Sequence, residues 1–154
     1  MSGITKDTGV GRATLYKYFP DVESILRAWH DREIDRHLDR LLQVRDGTEG
    51  AMRRLETVLT AYAAAISHPG RHDSEIAAEL DRGDHVAAAH QRLRDFIRDL
   101  VADAAEAGAV RRDVPADELA VYCLHALAAA ARLQDAAAVR RLVRTTLSGL
   151  QPGQ

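Results

Sequence analysis

The chain has 154 residues, enough for one hydrophobic core and at most one small additional module. Hydrophobic residues make up 46% and charged residues 29%, which excludes a disordered chain and describes a soluble globular one. A formal net charge of −2 gives no support to bulk polyanion binding, so any nucleic-acid contact must come from a local patch.

Such a patch lies at the start. Lys6, Arg12 and Lys17 stand against Asp7 alone within residues 1–20, so that end is basic and the remainder correspondingly acidic. Cys123 is the single cysteine, which excludes an intramolecular disulfide, and its apolar helical setting favours a buried small hydrophobe over a reactive thiol. No apolar run approaches the ~20 residues of a membrane span and no signal-peptide pattern is present, so a cytoplasmic protein with no membrane partner is expected.

Residues 1–8 read as the end of a helix with Ile4 inward. Gly9 supplies a turn, and a short basic, hydroxyl-rich segment runs from Val10 to Phe19 before Pro20 stops it. Val10 and Leu15 can anchor that segment, while Arg12, Thr14, Tyr16, Lys17 and Tyr18 can face outward. A two-turn helix offering donors in this way suits the major groove of DNA. Asp21 then reads as an N-cap for a long amphipathic helix through Ile25, Leu26, Trp29, Ile34, Leu38, Leu41 and Leu42 to about Val44. Asp46-Gly47-Thr48 is expected to end it and cap the next.

The following helix spans 49–67, with Met52, Leu55, Leu59, Tyr62 and Ile66 in register, and His68-Pro69-Gly70 breaks it. A short helix is expected over 73–81. From Gly83-Asp84 a long one carries Val86, His90, Leu93, Ile97, Leu100 and Ala104, widened by Phe96 and Val101, to a C-terminal glycine at Gly108. A loop to Pro115 leads to a helix over 116–133, and Asp135 caps the last one. No strand alternation appears, so the fold class is all-α.

Gly9-Val10 followed by Thr14-Leu15-Tyr16-Lys17-Tyr18-Phe19 resembles the turn and recognition helix of TetR/AcrR-type transcriptional regulators. The resemblance covers residues 4–26 in detail and the remainder through helix order and the Gly108-to-Pro115 loop. It implies a homodimeric, ligand-responsive repressor that binds a palindromic operator in double-stranded DNA. Residues 1–28 would form a partial helix-turn-helix domain, and 29–154 a helical domain that binds effector and dimerises through its last two helices. Thr14, Tyr16, Lys17 and Tyr18 would grip phosphates, Arg12 would reach a base edge, and Gly11 would lie near the groove floor or cap the helix.

Two departures stand out. Val22 replaces the lysine that the family often carries at the start of its fourth helix. The family's first helix would precede Ile4, where this sequence opens at Met1. The alternative expectation is therefore a truncated, dimerising, ligand-binding helical module without independent DNA binding.

Trp29, Tyr62, His90, Phe96, Tyr122 and His125 are the candidates for an effector pocket. Each aromatic reads equally as plain core. His90 and His125 read either as satisfied core histidines or as groups facing a ligand. His68/His72 and His85/His90 are spaced so as to miss a shared helical face, and His30/His37 could share one but stand among carboxylates and arginines, so neither a metal site nor any cofactor is expected. No nucleophile–base pair, phosphate-cradling loop or H-E-x-x-H motif is present, so no catalytic residue and no enzyme is expected.

Overall fold

The computed structural model describes residues 22–68 and 84–153. Among these residues the secondary structure is entirely helical: α1 (Val22–Asp46), α2 (Ala51–Ser67), α3 (Asp84–Glu106), α4 (Ala116–Ala128) and α5 (Ala136–Ser148). A 3-10 turn, Ala129–Arg132, continues α4. The helix expected over 73–81 lies outside the described residues.

Helix α2 is the hub, touching α1, α3, α4, the 3-10 turn and α5. Its buried residues Leu55, Val58, Leu59 and Ala63 recur at helical spacing, forming one apolar face. Against that face α3 places Ile97, Leu100, Val101 and Ala104; α4 places Leu119, Ala120, Cys123 and Leu127; α5 places Val139 and Val143. Each large side chain so enclosed contributes about 1.5–3 kcal/mol of transfer free energy.

Helix α1 differs from its expected uniform stripe. Leu41 is buried and Val44 packs against the core, yet Ile25 is 62% and Trp29 52% exposed. The C-terminal half of α1 is thus its anchored half. Polar ties hold it to α3, among them the Asp35–Arg92 ion pair at 3.1 Å and the Arg45 guanidinium carbon 5.5 Å from the Phe96 ring centre.

The helix ends follow local chemistry. Gly108 takes φ +80°, Gly108 N–H donates to Ala105 O at 3.0 Å, and Ala109 N–H donates to Ala104 O at 2.9 Å. This six-to-one and five-to-two pairing is the Schellman closure that only a left-handed residue permits without strain. Arg112 then donates to the carbonyl of Ala105, which it shares with Gly108 N–H, and to that of Glu106 at the end of the helix. Asp135 caps α5 as expected, accepting from Ala138 N–H at 2.7 Å. Thr48 departs from expectation: its hydroxyl donates back to Val44 O at 2.7 Å, closing α1, and α2 opens at Gly50 with no side-chain cap.

Two core residues come from outside the helices. Val110, in the α3–α4 loop, and Leu150, just beyond α5, are both enclosed. Arg111 N–H donates to Leu150 O at 2.9 Å, which pins the end of the chain to that loop.

Candidate functional site

The outward residues of the opening motif, Gly11, Arg12, Thr14, Tyr16, Lys17 and Tyr18, lie outside the described residues. The six pocket candidates all fall inside them, and the fold separates them into two groups. Tyr62 on α2 and Phe96 on α3 are half-buried against the common core, on helices that pack together. Trp29, His90, Tyr122 and His125 are exposed. His90 and His125 are therefore not core histidines. His90 follows the buried Ala89 and is turned ~100° away from it around α3. His125 closes on its own helix, its Nδ1 lying 2.9 Å from Val121 O.

Tyr122 serves the α4–α5 contact. Its hydroxyl donates to Thr146 O at 3.0 Å, and its ring lies over Gly149, where a Cβ would collide with the hydroxyl. Partial burial, together with the neighbouring Cys123, pushes the phenol pKa above its ordinary 10.0. Cys123 is fully enclosed, and desolvation pushes its thiol from the ordinary 9.0 to about 12. A thiol so placed is inert at neutral pH.

A groove of about 430 Å³ runs between α3 and α4, lined by Gln91, Arg94, Asp95, Arg98, Asp117, Glu118 and Val121. None of the six candidates borders it. Its centre is Arg98, whose guanidinium reaches Asp99 at 3.0 Å, Asp95 at 3.1 Å and Asp117 at 3.7 Å. The hydrogen bond to Asp99, and then the neighbouring charges, raise the Arg98 pKa. Gln91 donates to Asp95 at 2.9 Å from the preceding turn. Within this charged groove Arg98 is already paired, and the Arg98–Asp117 contact ties α3 to the first turn of α4. The sequence signal was available, since Gln91, Arg94, Asp95 and Arg98 share one helical face, but it reads as an ordinary solvated stripe.

A second polar lock lies at the C-terminal end of α5. Arg111 grips Asp113 with two nitrogens, at 2.6 and 2.7 Å, and reaches Gly149 O at 3.4 Å. The Arg111 hydrogen bond lowers the Asp113 pKa below its ordinary 3.8. Among the described residues no group of His, Cys, Asp or Glu is placed to hold a metal ion, and no helix is long and apolar enough to cross a membrane.

This body matches a known one. The family described as the C-terminal domain of SbtR-like transcriptional regulators matches residues 55–152, from the first buried leucine of α2 to beyond α5. The chain belongs to the TetR-type transcriptional regulators. No curated protein and no solved structure matches it. The match takes in α2 from Leu55 onward together with α3, α4 and α5, a C-terminal regulatory domain, and the family is one of regulators and not of enzymes.

Proposed function

We propose that this TetR-type regulator is a ligand-responsive repressor, working in the cytoplasm as a homodimer on a palindromic operator. What supports the reading is one juxtaposition. A regulatory body of known family over residues 55–152 follows a 25-residue helix, α1, and the sequence of residues 9–20, which resembles a turn and recognition helix, directly precedes that helix. In this reading Arg12 meets a guanine edge, Thr14, Tyr16, Lys17 and Tyr18 hold phosphates, and Gly11 allows close approach to the groove. The dimer forms through α4 and α5, and the effector site is proposed beside Tyr62 and Phe96. An effector that binds one spacing of the two reading helices more tightly than the other shifts the population away from the DNA-competent form.

The test is a salt titration of binding to the intergenic DNA upstream of the protein's own gene. Specific binding that falls with salt, and weakens by ~1–3 kcal/mol with Arg12→Ala, is the expected result. Tyr16→Phe should reduce affinity without altering sequence preference, because a phosphate contact carries no base information. A folded protein that shows no specific binding even at low salt overturns the DNA-binding part of the reading, leaving a ligand-binding helical module.

A further inference from the structure

Helix α5 buries Val139, Val143 and Thr146 and turns three arginines to solvent. At ~100° per residue, Arg140, Arg141 and Arg144 share a separate arc of about 100°, with Arg140 and Arg144 roughly one turn apart. The half-buried Ala137 and the exposed Ser148 complete that arc, which holds no large apolar side chain.

Nothing within the described fold uses these charges. Beyond Glu118 the sequence carries Arg132, Arg140, Arg141 and Arg144 against Asp135 alone, and the Asp135 carboxylate is taken up by Ala138 N–H. Among the described residues Arg140, Arg141 and Arg144 make no ion pair, whereas Arg92, Arg98 and Arg111 each hold an acid. Nor do the charges support α5 itself. None has an acid three or four residues away, and Arg144 stands four from Arg140 and three from Arg141, like-charge spacings that destabilise a helix. The patch is basic on a molecule whose formal net charge is −2.

We infer that this face of α5 holds the phosphate backbone of duplex DNA, without regard to sequence and apart from residues 9–20. The chemistry of the face selects the partner. A specific protein interface is centred on desolvated aromatic or apolar anchors, and this arc offers none. A helix that lies on a membrane sinks apolar residues beneath the lipid headgroups, and those are missing too. A single strand is held by stacking on aromatic rings, again absent from the arc. A second copy would set like charge against like about a twofold axis, which opposes association. A duplex needs none of these anchors. It presents one negative charge per ~1.7 Å of its axis, so the ~6 Å between Arg140 and Arg144 spans several of them. Guanidinium forks, moreover, match phosphate oxygens in pairs.

The test uses the full chain carrying Arg12→Ala and Lys17→Ala, so that α5 is read without the opening motif. Binding of a fluorescent random-sequence duplex of about 20 base pairs should weaken about fortyfold from ~50 to ~200 mM salt, the counterion release expected for three phosphates. Arg140→Gln, Arg141→Gln and Arg144→Gln together should remove that binding. The same three positions changed to Lys should keep the salt slope, because the contact is one of charge. A glutamine variant that stays folded and still binds the duplex overturns the inference. So does loss of the slope in the lysine variant, or equal binding of poly-glutamate or of phosphatidylserine vesicles by the parent. Operator reading is judged separately, on the upstream intergenic DNA with Arg12 and Lys17 intact. There the glutamine variant should weaken all duplexes alike, and a chain with no sequence preference overturns operator reading while this inference stands.

Discussion

Tyr122 and Gly149 constrain each other. The phenol donates to Thr146 O across the α4–α5 contact and occupies the space that a side chain at 149 would fill. Tyr122→Phe should destabilise the protein by about 0.5–1.5 kcal/mol in urea unfolding, the net value of one hydrogen bond. Gly149→Ala should cost a similar amount, because the added methyl displaces the ring tip and breaks that same bond. The two changes together should cost clearly less than their sum, as expected for residues that act through one contact.

Cys123 sets a pH limit of its own. Its thiol ionises near 12 in the fold and near its ordinary 9.0 when unfolded, so the unfolded chain loses its proton first. Stability from this group is therefore complete below about pH 9 and is lost as the pH rises from there towards 12. Unfolding free energies measured from pH 8 to 10.5 should fall more steeply for the natural chain than for Cys123→Ala. A parallel pair of curves would refute the assignment.

At the scale of the element, helix ends decide how much a sequence reveals. Gly108 and Asp135 are legible because each has one conformational use: a left-handed stop, and a side-chain acceptor for open N–H groups. Asp135→Ala should cost about 1 kcal/mol, read from the urea midpoint, with most of the loss at α5. Thr48 misleads because a hydroxyl can serve either neighbour. Here the carbonyl of Val44, one turn back, wins over the N–H groups of α2. The stripe of α1 misleads for a different reason. Apolar spacing announces a face, but not whether anything covers it, and Ile25 and Trp29 remain in solvent while Leu41 does not.

For the whole molecule, the 3.6-residue period of α2, α3, α4 and α5 finds most of the large buried side chains, because every one of those helices leans on a common centre, but it passes over Val58 and the small Ala63, Ala89 and Ala120. Val110 escapes any periodic argument, since it lies in the α3–α4 loop, whereas Leu150, just beyond α5, continues the spacing of Val139, Val143 and Thr146; both are enclosed. The candidate site was harder to read than the core. Four aromatics and two histidines beside apolar stripes stand out in the sequence, but a single position around the helix decides whether such a side chain faces inward, as Phe96 partly does, or outward, as His90 does. The groove at Arg98 could not be assembled from sequence, because Asp117 joins it only through the packing of α4 on α3.

The one-sided anchoring of α1 gives the molecule mechanical gain. From Leu41 back to Val22 the helix extends nineteen residues, which at 1.5 Å each makes an arm of ~28 Å. A tilt of about 5° where Leu41 is seated would carry the far end through ~2.5 Å, and the same tilt moves Asp35, bound to Arg92, by less than ~1 Å. Displacements too small to unseat the core would thus arrive at the tip of the arm as distances comparable to a hydrogen bond.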